Sequence, residues 1–305
     1  MDLGYTSIDQ SLYTEQVLED ENFWKESPVD LPCVVANKFD EVELYEIGSK
    51  NYFDIKKRGV RRVAGKLFYL AENTRPDIKA ACGKLSMYLH NPHEAHWKGL
   101  VHLAKYLRGT VNKGLLYKRG VNEKGERNNS DSILFNCLVG YVDSDWAGYL
   151  RDRRSRSGWI VMLNGCVIAW FSKLQANVAC SSTEAELIAA QSVVMMILSC
   201  RKILEFLGFT QQKPTLVRED NAACIAISKN AMMQFVTKHM QVKQSFLRHT
   251  QEDKNVDLQW VSTVDQLADI LTKPLAYKAF QKLRDEIVFD VDAESLKEAF
   301  EPTKH

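Results

Sequence analysis

The chain has 305 residues, 45% hydrophobic and 26% charged, which is enough apolar material for one large core or two modest ones and argues against disorder. Its 40 basic and 39 acidic side chains nearly cancel, so net charge supplies no global attraction for a polyanion, and any nucleic-acid contact must come from local clustering. Seven cysteines (33, 82, 137, 166, 180, 200 and 224) form an odd set without a CxxC pair, which argues against a disulfide framework or zinc ribbon. The sequence shows no leader-like N-terminus and no run near the roughly 20 apolar residues of a membrane span. The expectation is a soluble intracellular protein with no membrane partner.

Between Gln10 and Trp24, Leu12, Val17 and Leu18 recur at helical spacing, and Ser27-Pro28 ends that helix. GKLFYLAENTRPDI predicts a helix closed near Thr74-Arg75-Pro76, because the residue before proline resists the α conformation. A further helix is expected over Ile78 to Leu89. HWKGLVHLAKYLRGT predicts another, with Leu100, Leu103, Ala104 and Leu107 on one face and Gly109 beyond its end. Residues 1–120 are thus expected to form a mainly helical region. VNEKGERNNSDS, residues 121–132, is polar and aperiodic and is the expected linker.

From 133 to 277 the pattern changes. LFNCLVGYVDSD reads as a strand, and GWIVML and CVIAWF flank Asn164-Gly165, a strong hairpin signal. Ser182 to Leu207 is a long helical pattern stopped by Gly208, TLVRED a short strand, Thr237 to Gln251 a helix, and DLQWV a strand before DQLADILTKP. The expected order is βββαβααβα, an α/β (α+β) domain, followed at 278–305 by a terminal helix and acidic tail.

Four of these elements each offer one acid: Asp143 ends the first strand, Glu186 lies in the first turn of the long helix, Asp220 ends the fourth strand, and Asp269 sits in the last short helix. Two-metal phosphodiester cleavage needs such a set, because hard carboxylate oxygens hold the ions and no nucleophilic side chain is required. Each acid also fits a structural role. Glu186 follows Thr183 by three residues, as in a capping box; Asp220 precedes a helix it would cap; Asp269 would serve as a solvated helix charge. Arg151, Arg153, Arg154 and Arg156 crowd the loop after the first strand, and Lys173 follows the hairpin; phosphate contact competes here with a solvated basic loop balanced by Asp152.

GYVDSDWAG (140–148), SKLQ (172–175), SSTEAELIAA (181–190), REDNAACIAI (218–227), TKHMQVK (237–243) and QLADILTKPL (266–275), in that order, resemble the ribonuclease H domain of Copia-type (Pseudoviridae) retrotransposon Pol polyproteins. Upstream, GKLFYLAENTRPDI, HWKGLVHLAKYLRGT and QSLYTEQVLEDENFWKESPVDLP resemble the end of the reverse transcriptase, so the match runs over roughly residues 10–285. The resemblance implies a ribonuclease H-like mixed five-stranded sheet with flanking helices, preceded by a helical region like a polymerase thumb or connection. It also implies catalytic, metal-holding acids at Asp143, Glu186, Asp220 and Asp269, two Mg²⁺ ions with Mn²⁺ as a substitute, and an RNA–DNA hybrid as partner beside other parts of the polyprotein. Its location would be cytoplasmic, in a virus-like particle for an active element, or nuclear. Asp145 takes a secondary role at most. Arg153, Arg154, Lys173, Ser182 and Thr183 are the implied contacts to the hybrid backbone.

YVDS at 141–144 looks like a polymerase YVDD hairpin but lacks adjacent aspartates, so no polymerase activity is expected. His90, His93 and His96 are spaced by three with Asn91-Pro92 inside the run, which favours structural roles over a helical metal site. Many ribonucleases H carry a histidine in the loop before the last acid; none lies between Trp260 and Asp269 here, which matches the Copia-type pattern and implies that solvent performs the proton transfer. Three departures from the family pattern (SKLQ for SKKQ, Asn230-Ala231 for Asn-Pro, and no basic residue shortly before Thr237) leave a catalytically silent or host-captured nucleic-acid-binding remnant as the alternative.

Overall fold

The computed structural model describes residues 5–33, 39–118, 137–230 and 238–292. The chain divides into two units, one of residues 1–116 with 274–305 and one of residues 117–273. The expected linker, 121–132, lies outside the described residues, as do Ala231 and Thr237.

The first unit runs β1 (Tyr5–Ile8), α1 (Ser11–Asp20), α2 (Lys50–Lys57), α3 (Val60–Asn73), α4 (Lys79–Ser86), α5 (Glu94–Gly109) and β2 (Lys113–Lys118). In α3 the buried positions Val60, Val63, Ala64, Leu67, Leu70 and Ala71 repeat at three and four residues, so one face packs and the other carries charge. The helix ends at Asn73, where the approach of Pro76 demands it. Arg75 then turns inward: its guanidinium grips both carboxylate oxygens of Asp77 at 2.7 and 2.9 Å and donates to Thr110, while the Tyr106 hydroxyl donates to Asp77 at 2.6 Å. Gly109 is the last residue inside α5 rather than the first beyond it, and Thr110 follows as its cap.

His93 and His96 serve that same helix. The His93 ring accepts from the Ala95 N–H and His96 Nδ1 accepts from the His93 N–H, so the two imidazoles cap α5; the His96 ring also stacks on Tyr88. This is the structural role expected of them.

The second unit contains β3 (Leu138–Asp145), β4 (Arg156–Leu163), β5 (Cys166–Leu174), α6 (Ser182–Phe206), β6 (Thr215–Glu219), α7 (Ala222–Lys229), α8 (Lys238–Glu252), β7 (Val256–Trp260) and α9 (Asp269–Thr272). Its five strands lie in the order β5-β4-β3-β6-β7. β3, β4 and β5 pair antiparallel, whereas β6 joins β3, and β7 joins β6, in parallel. This is a ribonuclease H-like mixed sheet with flanking helices. The β4–β5 turn is Asn164-Gly165 with φ of 54° and 73°, the two left-handed residues a two-residue hairpin requires.

α6 has 25 residues and is apolar enough by length and composition to cross a membrane, contrary to the reading that no segment is. Its Leu187, Ala190, Val193, Val194 and Ile197 are instead buried in one core with Val142, Trp159, Val161 and Val217 of the sheet. A core helix lying on a sheet needs the same apolar composition as a lipid-exposed one.

The last elements are α10 (Tyr277–Asp285) and β8 (Phe289–Asp290). They belong to the first unit, although the sequence pattern of 278–305 suggests only a terminal helix and tail: Phe280 meets Tyr106 edge-on at 5.8 Å, and β8 pairs antiparallel with β2.

Candidate active site

The parallel pairing of β3 with β6 determines where the acids meet. Tyr141 is in register with Arg218, so two residues further along each strand come Asp143 and Asp220, side by side at the carboxyl ends of two adjacent strands. α6 delivers Glu186 from above. Carboxylate oxygens of Asp143, Glu186 and Asp220 all lie within 4.8 Å of one another. Asp269, the first residue of α9, is outside that three-acid group but near Asp143. The two are bridged by the Lys273 ammonium, 2.9 Å from Asp269 Oδ1 and 3.6 Å from Asp143 Oδ2. The Thr272 hydroxyl donates to Asp143, and Thr263 donates to Asp220 at 2.9 Å.

Crowding like charges out of water makes Asp143, Glu186 and Asp269 hard to ionise. Burial raises the Asp143 carboxyl, with Lys273 and the Thr272 hydroxyl working against the rise. Burial, then Glu219, Asp143 and Asp220, holds Glu186 well above the usual carboxylate range. Burial and then Asp143 push Asp269 up to about 7. For Lys273, burial opposes the charge, but Asp143 and Asp269 outweigh it and keep the ammonium protonated above the ordinary lysine range. The Glu186 Oε2 atom is buried without a hydrogen-bond partner. Three hard oxygen donors, repelling one another and incompletely hydrogen-bonded, suit a hard divalent cation.

The helix caps decide between the competing roles of these acids. Ser181 caps α6, accepting from the Glu184 N–H, while Glu184 accepts from the Cys180 N–H at 2.8 Å; the capping pair lies two residues earlier than Thr183 and Glu186, and Glu186 is left facing the other acids. Asn221 caps α7 by accepting from the Cys224 N–H, so Asp220 is not the cap. Asp269 is buried, not a solvated helix charge.

The basic residues meet the expectation less closely. Arg154 pairs with Asp152 at 2.7 Å and lies over the Tyr149 ring, Arg153 sits at φ 59° in the same tight loop, and Arg156 is not in the loop but buried in β4. Lys173 does not follow the hairpin beside the acids. It lies within β5 opposite Ser157, whereas Asp143, Gly158 and Ser172 form one cross-strand row, so alternation sets Lys173 on the opposite sheet face. Ser182 is exposed and Thr183 half-buried in the first turn of α6, and neither is its cap. Asp145 is outside the three-acid group.

Sequence reasoning missed three neighbours. Glu219, fully buried at the end of β6, accepts from the Asn221 N–H at 2.9 Å and is itself held well above the carboxylate range by burial. Thr272 and Lys273 lie within QLADILTKPL, and the four-residue spacing of Lys273 from Asp269 is the local signal of their pairing.

No family model matches the chain. It is 33% identical over 282 residues to a retrovirus-related Pol polyprotein from the tobacco (Nicotiana tabacum) transposon TNT 1-94, covering 91% of this chain and 20% of that protein. It is 34% identical over 280 residues to the corresponding polyprotein from the Arabidopsis thaliana transposon RE1, covering 92% of this chain and 18% of that protein. The chain thus spans about a fifth of the length of these relatives. Among solved structures, the N-terminal RNase H domain of rv2228c from Mycobacterium tuberculosis is similar over 48% of this chain and 94% of its own, at 13% identity and a TM-score of 0.34.

Proposed function

Since the chain belongs to the retrovirus-related Pol polyproteins of Copia-type transposons, we propose that its 117–273 unit is a metal-dependent ribonuclease H that hydrolyses the RNA strand of RNA–DNA hybrids. The observation that carries this reading is the convergence of Asp143, Glu186 and Asp220, from three separate elements, within 4.8 Å. Asp143, Glu186 and Asp220 on one side, and Asp143 with Asp269 on the other, would hold two Mg²⁺ ions, or Mn²⁺ in their place. Bound there, such ions supply a hydroxide-like water and neutralise charge on the leaving oxygen.

The chain's own groups do the positioning. Asp143 would serve both halves because it is grouped with Glu186 and Asp220 and shares Lys273 with Asp269, and the Thr272 hydroxyl donates to its carboxylate. Glu186 is presented rigidly from a helix whose apolar face is locked in the core, so its carboxylate has little freedom to lose when a ligand binds. Arg153, Arg154, Ser182 and Thr183 are the proposed backbone contacts, with Lys173 a weaker candidate because it rises from the other face. Recognition of this kind reads A-like shape and the 2′-OH rather than base sequence. Polymerase activity is not part of the proposal.

The test is Mg²⁺-dependent cleavage of a labelled hybrid by the purified chain, compared with E186Q and D220N. Both substitutions should abolish cleavage, by a factor of about a thousand or more, with an unchanged circular-dichroism spectrum. Undiminished turnover in both would refute the assignment. A wild-type chain that binds hybrid without cutting it would identify a silent binding module instead.

A further inference from the structure

The four acids form two unequal halves that share Asp143. In one, Asp143, Glu186 and Asp220 face one another within 4.8 Å, and Glu186 Oε2 has no hydrogen-bond partner. In the other, Asp143 and Asp269 already enclose a cation: the Lys273 ammonium lies 3.6 Å from the first and 2.9 Å from the second. The two carboxylates are only 4% and 5% exposed, whereas the Lys273 side chain is 34% exposed and reaches them from just beyond the end of α9.

We propose that Lys273 is a built-in counter-ion of the Asp143–Asp269 pair, which a divalent cation must displace, so that the Asp143–Glu186–Asp220 half loads first and the Asp143–Asp269 half second. The inference rests on the carboxylate-site reading above and adds an order of loading to it. Two buried carboxylates with no cation between them repel strongly in a medium of low dielectric constant. Lysine offsets part of that repulsion while the second ion is absent. It is also the side chain suited to being evicted: its charge is compact, its stem is flexible, and from a partly open position the ammonium can withdraw into water without leaving the surface. An arginine fork would hold both carboxylates too firmly, and no cation at all would leave the pair repelling. At the first half the one lysine contact among the described residues is the longer one, 3.6 Å from Lys273 to Asp143, so a dication meets oxygen atoms already gathered and a weaker ion pair to break.

Titration of the metal-stripped full chain with Mn²⁺, following free Mn²⁺ by electron paramagnetic resonance, tests the order directly. The wild-type chain should bind in two steps, the second weaker. K273Q should tighten the second step about tenfold or more and change the first much less; K273M, which keeps the stem without the charge, should do the same. Without metal, K273Q should melt at a lower temperature than wild type, and Mn²⁺ should restore the difference, which loss of a merely structural contact would not allow. An unchanged or weakened second step in both variants would overturn the proposal. D143N separates this failure from that of the site itself. If D143N loses Mn²⁺ binding while K273Q and K273M bind as wild type, only the role of Lys273 is wrong. If D143N binds Mn²⁺ as wild type does, the carboxylate site and the loading order both fall.

Discussion

Replacing Asp143 by asparagine should make the metal-free protein more stable while destroying the site. Asp269 is pushed up to about 7 from an ordinary 3.8, first by burial and then by the Asp143 charge. At about 1.36 kcal/mol per pH unit, that gap corresponds to about 4 kcal/mol as the full cost of keeping Asp269 ionised in the fold at pH 8. Burial supplies the largest part, so lifting the Asp143 charge should return about 1 kcal/mol. Asp143 adds to the gain: its own carboxyl is raised, because burial outweighs the attraction of Lys273. The sign follows from proton linkage. A carboxyl raised on folding binds more protons folded than unfolded, so its stabilisation is complete below about pH 4 and is lost as pH rises to about 7. D143N and wild type should therefore melt together near pH 4 and diverge above it, D143N being higher by about 2–4 °C at pH 8. Thermal unfolding followed by circular dichroism in EDTA measures this. A less stable D143N at pH 8, or a difference independent of pH, would show that the acids do not repel one another in the folded state.

Gly158 lies beside Asp143 in the sheet, and a Cβ there would stand 2.6 Å from Thr272 Cγ2 and 2.9 Å from Leu271 Cβ, so G158A should cost about 1–3 kcal/mol and lower hybrid cleavage by shifting α9. Wild-type turnover in G158A would show that α9 can move without consequence. Arg75→Met should destabilise the protein by about 3–5 kcal/mol in urea unfolding, because it leaves the fully buried Asp77 without its bidentate partner; a loss below about 1 kcal/mol would contradict that. If Arg153 and Arg154 both touch phosphates, the R153A/R154A variant should flatten the slope of log affinity against log salt by about 1.4–1.8, equally for all hybrid sequences. An unchanged slope would mean that the pair of Arg154 with Asp152 persists on binding and the loop is only a solvated surface.

Elements whose cause is local were legible in the residues. The stop of α3 before Pro76, the Asn164-Gly165 turn and the span of α6 each depend on a few neighbouring side chains, and each is found where the pattern puts it, although the apolar character of α6 exceeds what the pattern suggested. Asp143, Glu186, Asp220 and Asp269 were identifiable because each sits at the end of an element whose type could be read. Residues whose partners lie far along the chain were not legible. The three-stranded sheet of β1, β2 and β8 joins both ends of the first unit, so no local period announces it. Lys173 looked like a neighbour of the acids until strand register put it on the other face, since one residue of offset reverses a side chain's direction. Glu219 and Lys273 each look like an ordinary surface charge in a string of letters. Glu219 is buried because β6 lies inside the sheet, and Lys273 meets Asp143 because α9 folds back across it. The sequence by itself determined which residue types were available for this chemistry and at the end of which element each acid stands. The tertiary structure alone decided which of those charges share one low-dielectric space, because that depends on parallel pairing and helix packing between segments far apart in the chain.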